Sequence, residues 1–315
     1  MNDYYKTRNE LVNMYIKSLE EGEIPWEKMW TTSIPYNPVS GTVYKGMNNL
    51  LLSFIAVQRG YEDPRWCTFL HVQKKNWKLV GAKGMGITVE FACMYNKKEK
   101  KTYSFEDYEK IIAENPEREE EFKRSFSHST LYNAKHIEGI PELENQSKDK
   151  IIDNQFINNI ISNLGVNYKE LGDEAYYNIK EDEVVIPPSN KFKSSYSYYA
   201  TQLHELAHST GHQERLNRNM DGKFGSEEYA KEELRAEISS SFFMQKLGLE
   251  YDDRHLQNHK AYVKNWLDIL KSKPQELFFA ISDANKIVGY LEDKSLIKEK
   301  DNSKEIDNEM EVELC

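Results

Sequence analysis

The run H-E-L-A-H at residues 204–208 constrains the fold of this chain more than any other feature of its sequence. In a helix, side chains at positions i and i+4 share one face, so His204 and His208 can both reach one metal ion. Glu205 points in a neighbouring direction, where a carboxylate can hydrogen-bond a zinc-bound water without coordinating the metal. The run therefore predicts a helix with a single zinc site of the metallopeptidase type and Glu205 as its catalytic base.

A third protein ligand is needed, because a catalytic zinc typically takes three and leaves a fourth position for water. Residues 226–247 are predicted to form a helix with Glu233 and Glu237 along one edge of its core-facing stripe. The stripe consists of Ala230, Leu234, Ile238, Ser241 and Phe242. The residues expected to point away from it are Glu228, Glu232 and Arg235. We expect Glu233 to be the third ligand and Glu237 to accept a hydrogen bond from a ligating histidine, since buried carboxylates need partners.

Two alternatives for these glutamates stay open at this point. The reverse assignment of Glu233 and Glu237 fits the same spacing, and both could instead pair with Lys or Arg on the surface. His212 follows His208 at another four-residue step, but Gly211 is expected to end the helix before it. We therefore expect His212 to support a ligand from behind or to cap the helix, rather than to bind the metal.

The length and the local composition predict two domains and a tail. A chain of 315 residues exceeds the roughly 100–200 residues of a usual domain. The polar segment 142–150 places the boundary near residue 145, which gives domains at 1–145 and 146–290. The highly charged stretch 106–124 is expected to be a solvated insertion, and 291–315 an acidic, disordered tail. The predicted elements together indicate the α+β class.

Charge and cysteine content limit the compartment and the partners. Residues 1–105 hold 15 Lys and Arg against 10 Asp and Glu, a balance of +5, which leaves −15 for the rest of a chain with net charge −10. Two parts of opposite charge could have different partners. No apolar run approaches the length of a membrane span or a signal peptide, and the three widely spaced cysteines form no C-x-x-C. We expect a cytoplasmic protein with no membrane partner.

With these residues placed, the chain resembles the ArdC-type antirestriction proteins of plasmids and other mobile elements. In the first half the resemblance rests on I-P-W-E-K-M-W (24–30), P-Y-N-P-V-S-G-T-V-Y-K-G-M-N (35–48), W-C-T-F (66–69), K-G-M-G (83–86) and Y-N-A-K-H-I-E-G-I-P (132–141). In the second half it rests on Y-Y-A-T-Q-L-H-E-L-A-H-S-T-G-H-Q-E-R-L-N-R (198–218) and Y-A-K-E-E-L-R-A-E (229–237). The resemblance implies an N-terminal mixed α/β domain that binds single-stranded DNA and a C-terminal zincin-like metallopeptidase domain. It implies nothing for residues 106–124 or for the acidic tail.

A single strand of DNA is usually held by a positive groove and by aromatic side chains that stack on its bases. Residues 65–101 interleave both kinds of side chain. The candidates for DNA contact are Arg65, Trp66, Lys74, Lys75, Trp77, Lys78 and Lys83. Each tryptophan could equally be a core residue and each lysine part of a solvated face. No sequence-specific RNA signature is present, so we expect binding that tolerates any sequence.

The leading hypothesis is an antirestriction protein that binds single-stranded DNA and carries a zinc peptidase site. A protein of the host restriction system could be its substrate or its target. A peptide substrate is expected along the edge of a small sheet contributed by residues 175–186. The alternative is a non-catalytic DNA-binding protection factor with a structural or vestigial zinc site. The His/His/Glu set could also accept divalent metals other than zinc.

Overall fold

The computed structural model describes residues 3–25, 33–143, 154–223, 225–248 and 260–296. Its helices are α1 (Asp3–Glu20), α2 (Gly46–Arg59), α3 (Phe69–Lys74), α4 (Phe105–Glu114), α5 (Asn154–Leu164), α6 (Ser195–Ser209), α7 (Glu227–Leu247), α8 (Lys260–Ser272) and α9 (Glu276–Ser295). Its strands are β1 (Trp66–Thr68), β2 (Lys78–Leu79), β3 (Ile87–Asn96), β4 (Lys101–Tyr103), β5 (Phe122–Asn133), β6 (Ile137–Glu138), β7 (Asn167–Glu170), β8 (Tyr176–Asn178) and β9 (Glu183–Ile186). The prediction of an α+β protein is confirmed.

The N-terminal half is built on an antiparallel sheet of order β1-β5-β3-β4. Its long central pair, β3 and β5, runs in continuous register from Ile87 opposite Leu131 to Asn96 opposite Phe122. Helix α2 packs on this sheet, and the side-chain amide of Asn48 bonds both backbone groups of Glu90, at 2.6 and 3.1 Å. These bonds satisfy buried polar groups that would otherwise destabilise the packing of helix on sheet.

A small satellite core lies beside the sheet, under α3 and the β2–β6 pair. Its fully or nearly fully buried members are Cys67, Val72 and Ile137, and Trp77 packs against them partly buried. Helix α3 begins at a Thr68 cap, whose hydroxyl oxygen accepts the backbone N–H of His71. Helix α3 and strand β2 therefore pack on the satellite core with one face and turn their other face outward.

The C-terminal half contains a mixed sheet of order β7-β9-β8, in which β7 is parallel and β8 antiparallel to β9. Residues 175–186 thus contribute to a small sheet, as expected, and β8 is an edge strand. Val184 and Ile186 of β9 are fully buried and belong to the same core as α6. Helix α6 begins with a capping box between Ser194 and Ser197, which fixes its start about two and a half turns before H-E-L-A-H.

Helix α7 is buried along most of its length. Its N-cap is Ser226, and it ends at Gly248, which adopts the left-handed φ of 63° that favours glycine. It contacts α6, α8 and α9, and 14 of its 21 residues are buried. A helix enclosed in this way has almost no solvent face, so its polar residues must find partners inside the protein.

Two expectations about charged segments need correction. Residues 106–124 are not one solvated insertion, because Phe122–Arg124 begin the central strand β5 and pair with β3. The disordered tail cannot begin at residue 291, because α9 continues to Ser295 and Leu291 is fully buried. The helix continues into this segment because apolar residues at helical spacing, up to Leu291, remain packed in the core. Residues 297–315 and the predicted boundary near 145 lie outside the described residues.

Both halves contribute to one hydrophobic core. It joins α1, α2 and the N-terminal sheet to α5–α9, with Leu50, Tyr15 and Trp266 among its buried members. Polar contacts cross the same interface, including the hydrogen bond of Asn49 to Gln245 and the stacking of Arg8 on Phe278. The two halves are therefore packed as one unit across the described ranges. None of the helices described is long and apolar enough to span a membrane.

Candidate metal centre

Helices α6 and α7 bring three predicted ligands to one point. His204 Nε2 lies 3.0 Å from His208 Nε2 and 3.5 Å from Glu233 Oε2, and His208 Nε2 lies 3.4 Å from Glu233 Oε1. Tetrahedral zinc with ligand bonds of about 2.0–2.1 Å needs donor atoms about 3.3 Å apart. The two imidazoles and one carboxylate thus have the spacing and the chemistry of a site for one divalent cation.

A carboxylate also stands behind each histidine. Glu237 Oε1 lies 3.2 Å from His204 Nδ1, where an acceptor from a histidine N–H was expected. Glu232 Oε1 lies 3.2 Å from His208 Nδ1, although Glu232 was expected to point away from the core. That expectation is wrong because the far side of α7 faces the turn after α6 and not solvent. Carboxylates in this position orient a ligating imidazole and make it a better donor to metal.

Arg218 holds Glu232 from the turn that follows α6. Its Nε donates to Glu232 Oε2 at 3.1 Å and its Nη2 to Glu232 Oε1 at 2.6 Å. The same guanidinium donates to Thr210 Oγ1 at 2.6 Å and to the carbonyl of Ala207 at 3.0 Å. Neither Arg218 nor Glu232 was among the predicted site residues. Helical periodicity could not reveal them, because it does not predict that the turn after α6 packs against the side of α7 that carries Glu232.

The charges of this cluster are strongly coupled. Burial opposes the protonation of both histidines, but Glu237 and Glu233 raise the pKa of His204 well above its ordinary value. Glu233 and Glu232 likewise raise the pKa of His208 to about 9. Burial opposes ionisation of both carboxyls, yet the two histidines hold the pKa of Glu233 below the usual range, and His208 with Arg218 does the same for the pKa of Glu232. A divalent cation would compete with these protons for the same nitrogen and oxygen atoms.

Glu205 lies beside this cluster in a different environment. It is only 8% exposed, and its carboxylate accepts no hydrogen bond within the described part of the chain. Burial raises the pKa of Glu205, while the neighbouring His204 and His208 oppose the rise. A carboxylate with a raised pKa is suited to exchanging protons near neutral pH, as a general base and acid requires.

The two histidines and the four glutamates of this region line one open cleft of about 650 Å³. The segment from Asp173 to Ile179, which contains the edge strand β8, also lines it, as do residues around Met220 and in the first turn of α7. The backbone of an edge strand has unpaired donors and acceptors that can receive another strand. The cleft therefore has space for an extended chain beside the metal-binding residues.

His212 lies outside this cluster of donor atoms, in the turn after α6. Its Nδ1 accepts the backbone N–H of Glu214 at 3.3 Å, and its carbonyl accepts those of Arg215 and Asn217. Both roles organise the turn, which agrees with the capping alternative for His212. The same turn delivers Arg218 to Glu232.

Two of the candidate DNA contacts serve the fold instead. Trp66 is fully buried in the core, so it has no face to offer a base. Arg65 is buried as well, where its guanidinium forms a two-pronged ion pair with Asp63 and donates to the carbonyl of Pro141 at 2.8 Å. The prediction that Arg65 and Trp66 contact DNA is wrong, because both side chains are already engaged inside the protein.

The remaining candidates lie at the surface over the satellite core. Lys74, Lys75, Lys78 and Lys83 are all exposed. Trp77 is partly buried against the satellite core. These five residues remain predicted DNA contacts.

Two protein families match this chain. The family described as the N-terminal domain of the anti-restriction factor ArdC matches residues 5–132, and a zincin-like metallopeptidase family matches residues 155–283. The two matches follow one another along the chain and leave the acidic tail uncovered.

Similar proteins include two DNA primases TraC of Escherichia coli, each 34% identical over 295 residues. The match covers 90% of this chain and 26% of one primase, and 88% of this chain and 19% of the other. The chain thus spans about a quarter or less of the length of these relatives. An uncharacterised protein, y4eC of Sinorhizobium fredii, is 27% identical over 298 residues, with 91% of each chain covered.

Two solved structures have the same architecture, the metal-free and the Mn(II)-bound crystal structures of the antirestriction protein ArdC from plasmid R388. They are 26% and 27% identical to this chain, each with a TM-score of 0.70, and the match covers 91% of this chain and 97% of theirs. The expected resemblance is thereby confirmed in both sequence and fold. The chain belongs to the ArdC-type antirestriction family, with an ArdC-type N-terminal domain followed by a zincin-like metallopeptidase domain.

Proposed function

We propose that this protein is an antirestriction factor of a mobile genetic element that binds single-stranded DNA and hydrolyses peptide bonds at a zinc site. The main support for peptidase activity is the convergence of His204, His208 and Glu233, whose donor atoms lie 3.0–3.5 Å apart beside Glu205. A purely structural zinc site normally closes its coordination with a fourth protein ligand. Here the fourth side opens to the cleft.

His204 and His208 would hold zinc through Nε2, and Glu233 through its carboxylate. When bound, zinc supplies a Lewis acid that polarises the scissile carbonyl and makes water a better nucleophile. Glu205 takes a proton from the attacking water as its oxygen adds to the carbonyl carbon. It then passes this proton to the departing amine as the C–N bond breaks, so the products are a carboxylic acid and an amine.

The edge of β8 offers a place for the peptide substrate. An extended peptide could add to Tyr176–Asn178 by backbone hydrogen bonds, which would lay it along the wall of the cleft. Backbone recognition alone selects an extended conformation rather than a sequence. A protein of the host restriction system is one substrate that would connect this chemistry to antirestriction.

Binding of single-stranded DNA is supported by the surface over the satellite core. Residues 64–89 contain no Asp or Glu, in a chain whose net charge is −10. Exposed lysines there lie next to exposed apolar side chains on α3 and just after β2, namely Phe69, Leu70 and Val80. Phe69 could stack on a base while lysines meet the phosphates, which is a usual combination in proteins that bind single strands. We call this the basic surface, defined by Phe69, Leu70, Lys74, Lys75, Lys78, Val80 and Lys83.

Replacement of Glu205 by Gln tests the catalytic proposal. We expect E205Q to bind zinc as the wild type does and to cleave no member of a peptide library, since Glu205 contacts the reacting water and not the metal. E181Q is a matched control, because Glu181 is exposed in the turn between β8 and β9 and does not line the cleft. It should keep both zinc and cleavage. Hydrolysis of peptides by E205Q would contradict the role of Glu205 as the general base.

A restriction assay in cells separates catalysis from occupancy of DNA. If E205Q still protects incoming DNA, protection rests on binding, as the non-catalytic alternative holds. If E205Q loses protection while E181Q retains it, cleavage at the metal site is part of the protective role.

A further inference from the structure

We infer that Glu232 and Arg218 form a positioning pair that fixes how His208 presents its Nε2 to the metal. The inference rests on the metal site of the proposed function, but it does not require that peptides are cleaved. Neither residue is a donor to the proposed metal, since the three donor atoms come from His204, His208 and Glu233.

Glu232 settles which nitrogen of His208 carries a hydrogen. An ionised carboxylate only accepts hydrogen bonds, so the Nδ1 that lies 3.2 Å from Glu232 Oε1 must be the N–H side of the ring. The lone pair of a neutral His208 is then on Nε2, which faces His204 and Glu233. The contact therefore selects the tautomer that a metal needs and holds the ring plane toward the site.

Arg218 fixes Glu232 in turn. It meets both carboxylate oxygens, at 2.6 and 3.1 Å, in the two-pronged geometry that also restricts rotation of the carboxylate. Both side chains are only 9% exposed, so the pair is little screened by water. Without Arg218, Glu232 would be a buried charge with one weaker partner, and such a group tends to turn toward water or to take up a proton.

The pair also connects the two helices that carry the site. Arg218 donates to the carbonyl of Ala207 and to the hydroxyl of Thr210 at the end of α6, while Glu232 belongs to α7. A cation at the carboxyl end of α6 meets carbonyls that lack a partner within the helix. Arg218 thus ties the last turn of α6, which includes His208, to the helix that supplies Glu233.

Zinc affinity measures the role of the pair directly. We expect E232A to weaken zinc binding about 10–100-fold in a chelator competition assay, the usual cost of losing a carboxylate behind a ligating histidine. R218M should weaken it less, and R218K should recover part of the loss because it restores a positive charge. With Co²⁺ as the probe, the visible absorption of E232A should change in position or intensity, since those bands report the coordination geometry.

A neighbouring ion pair provides the matched control. Asp182 pairs with Arg215, whose Nε donates to the carbonyl of Ser209 in the same turn, yet neither residue contacts a proposed ligand. D182A should therefore lower thermal stability to a similar extent and leave the zinc affinity within about threefold of the wild type. A merely structural role for Glu232 predicts that E232A and D182A weaken zinc binding equally.

Each outcome decides the inference. Wild-type zinc affinity in E232A overturns it and leaves the proposed function standing. Absence of zinc binding in the wild type overturns the proposed metal site, and the positioning role with it. If E232A does not fold, E232Q is used instead, because its side chain is closer in size to glutamate and keeps an oxygen facing Nδ1. The zinc affinities of E232Q and R218M are then compared with that of D182N. Equal zinc affinity in those three variants also overturns the inference.

Discussion

The side-chain amide of Asn49 donates to Gln245 Oε1 at 2.8 Å, inside the protein and across 196 positions of the chain. Gln245 in turn donates to the hydroxyl of Ser53 at 3.0 Å, so α2 and α7 are joined by a buried polar chain. Helix α7 also carries Glu233. The N-terminal half is therefore fastened to the same helix that supplies a metal-binding side chain.

We expect N49A to lower the free energy of unfolding by about 1–3 kcal/mol, the cost of leaving a buried polar partner unsatisfied. Because the two halves share one core, unfolding of the wild type should be a single transition in urea, seen at the same midpoint by fluorescence and by circular dichroism. A double-mutant cycle with Q245A gives the coupling between the side chains. Additive losses, or separate transitions for the two halves, would contradict this connection.

Metal-free protein should lose stability as the pH rises. The pKa of His208 is raised to about 9 from an ordinary value of 6.5, chiefly by Glu233 and Glu232 acting against burial. A group with a raised pKa in the folded state stabilises it fully below the unfolded pKa, and this contribution disappears as the pH passes the folded pKa. Urea unfolding in the presence of chelator should show a loss on the order of 1–3 kcal/mol between about pH 6 and pH 9.5.

Zinc-loaded protein is the control for this trend, because bound metal requires neutral imidazoles and so removes the advantage of low pH. Its stability should instead fall on acidification, when protons displace the metal. A metal-free protein whose stability is flat or increases over the same range would show that the histidines are not held charged by these glutamates.

The basic surface should determine affinity for single-stranded DNA. We expect a triple variant, K74A/K78A/K83A, to bind an oligonucleotide more weakly and with a smaller salt dependence, since each lost phosphate contact reduces the logarithmic slope by about 0.7. F69A should cost about 1–3 kcal/mol of binding free energy if its ring stacks on a base. Fluorescence anisotropy over a range of salt concentrations measures both effects.

Exposed lysines of the C-terminal half serve as the control for net charge. K180A/K193A/K223A removes the same number of charges from positions away from the basic surface. It should leave the affinity and the salt slope close to those of the wild type. Equal effects of the two triple variants would mean that DNA responds to overall charge and not to this surface.

The candidate metal cluster was far more predictable from the sequence than the surface proposed to bind DNA. The spacing of His204 and His208 determines their shared helix face, and the edge of the α7 stripe correctly brings Glu233 and Glu237 to them. Periodicity failed for Glu232, because α7 is enclosed and its outer edge faces a turn whose path depends on long-range packing. Trp66 and Arg65 were chosen by residue type, and residue type alone does not distinguish a core position from a surface one.

The charge of the cleft predicts which peptides bind to it. Seven of its 18 lining residues are Asp or Glu, and none is Lys or Arg. Arg218 and a bound divalent ion would offset only part of this charge near the donor atoms. Among these lining residues Asp173 is paired with Lys191, whereas Glu174 and Glu228 are exposed. Substrates with Lys or Arg near the scissile bond should therefore be favoured by charge complementarity.

Zinc-loaded E205Q allows this preference to be measured as binding, without turnover. We expect a lysine-containing peptide to bind more tightly than an isosteric glutamine-containing one, and E174Q/E228Q in this background to reduce the difference at low salt, where charges at the protein surface are least screened. D173N is the matched control, because its charge is already compensated by Lys191. The preference should vanish as salt is raised. Equal binding of the two peptides, or a loss in D173N as large as in E174Q/E228Q, would show that the acidic walls do not select the substrate.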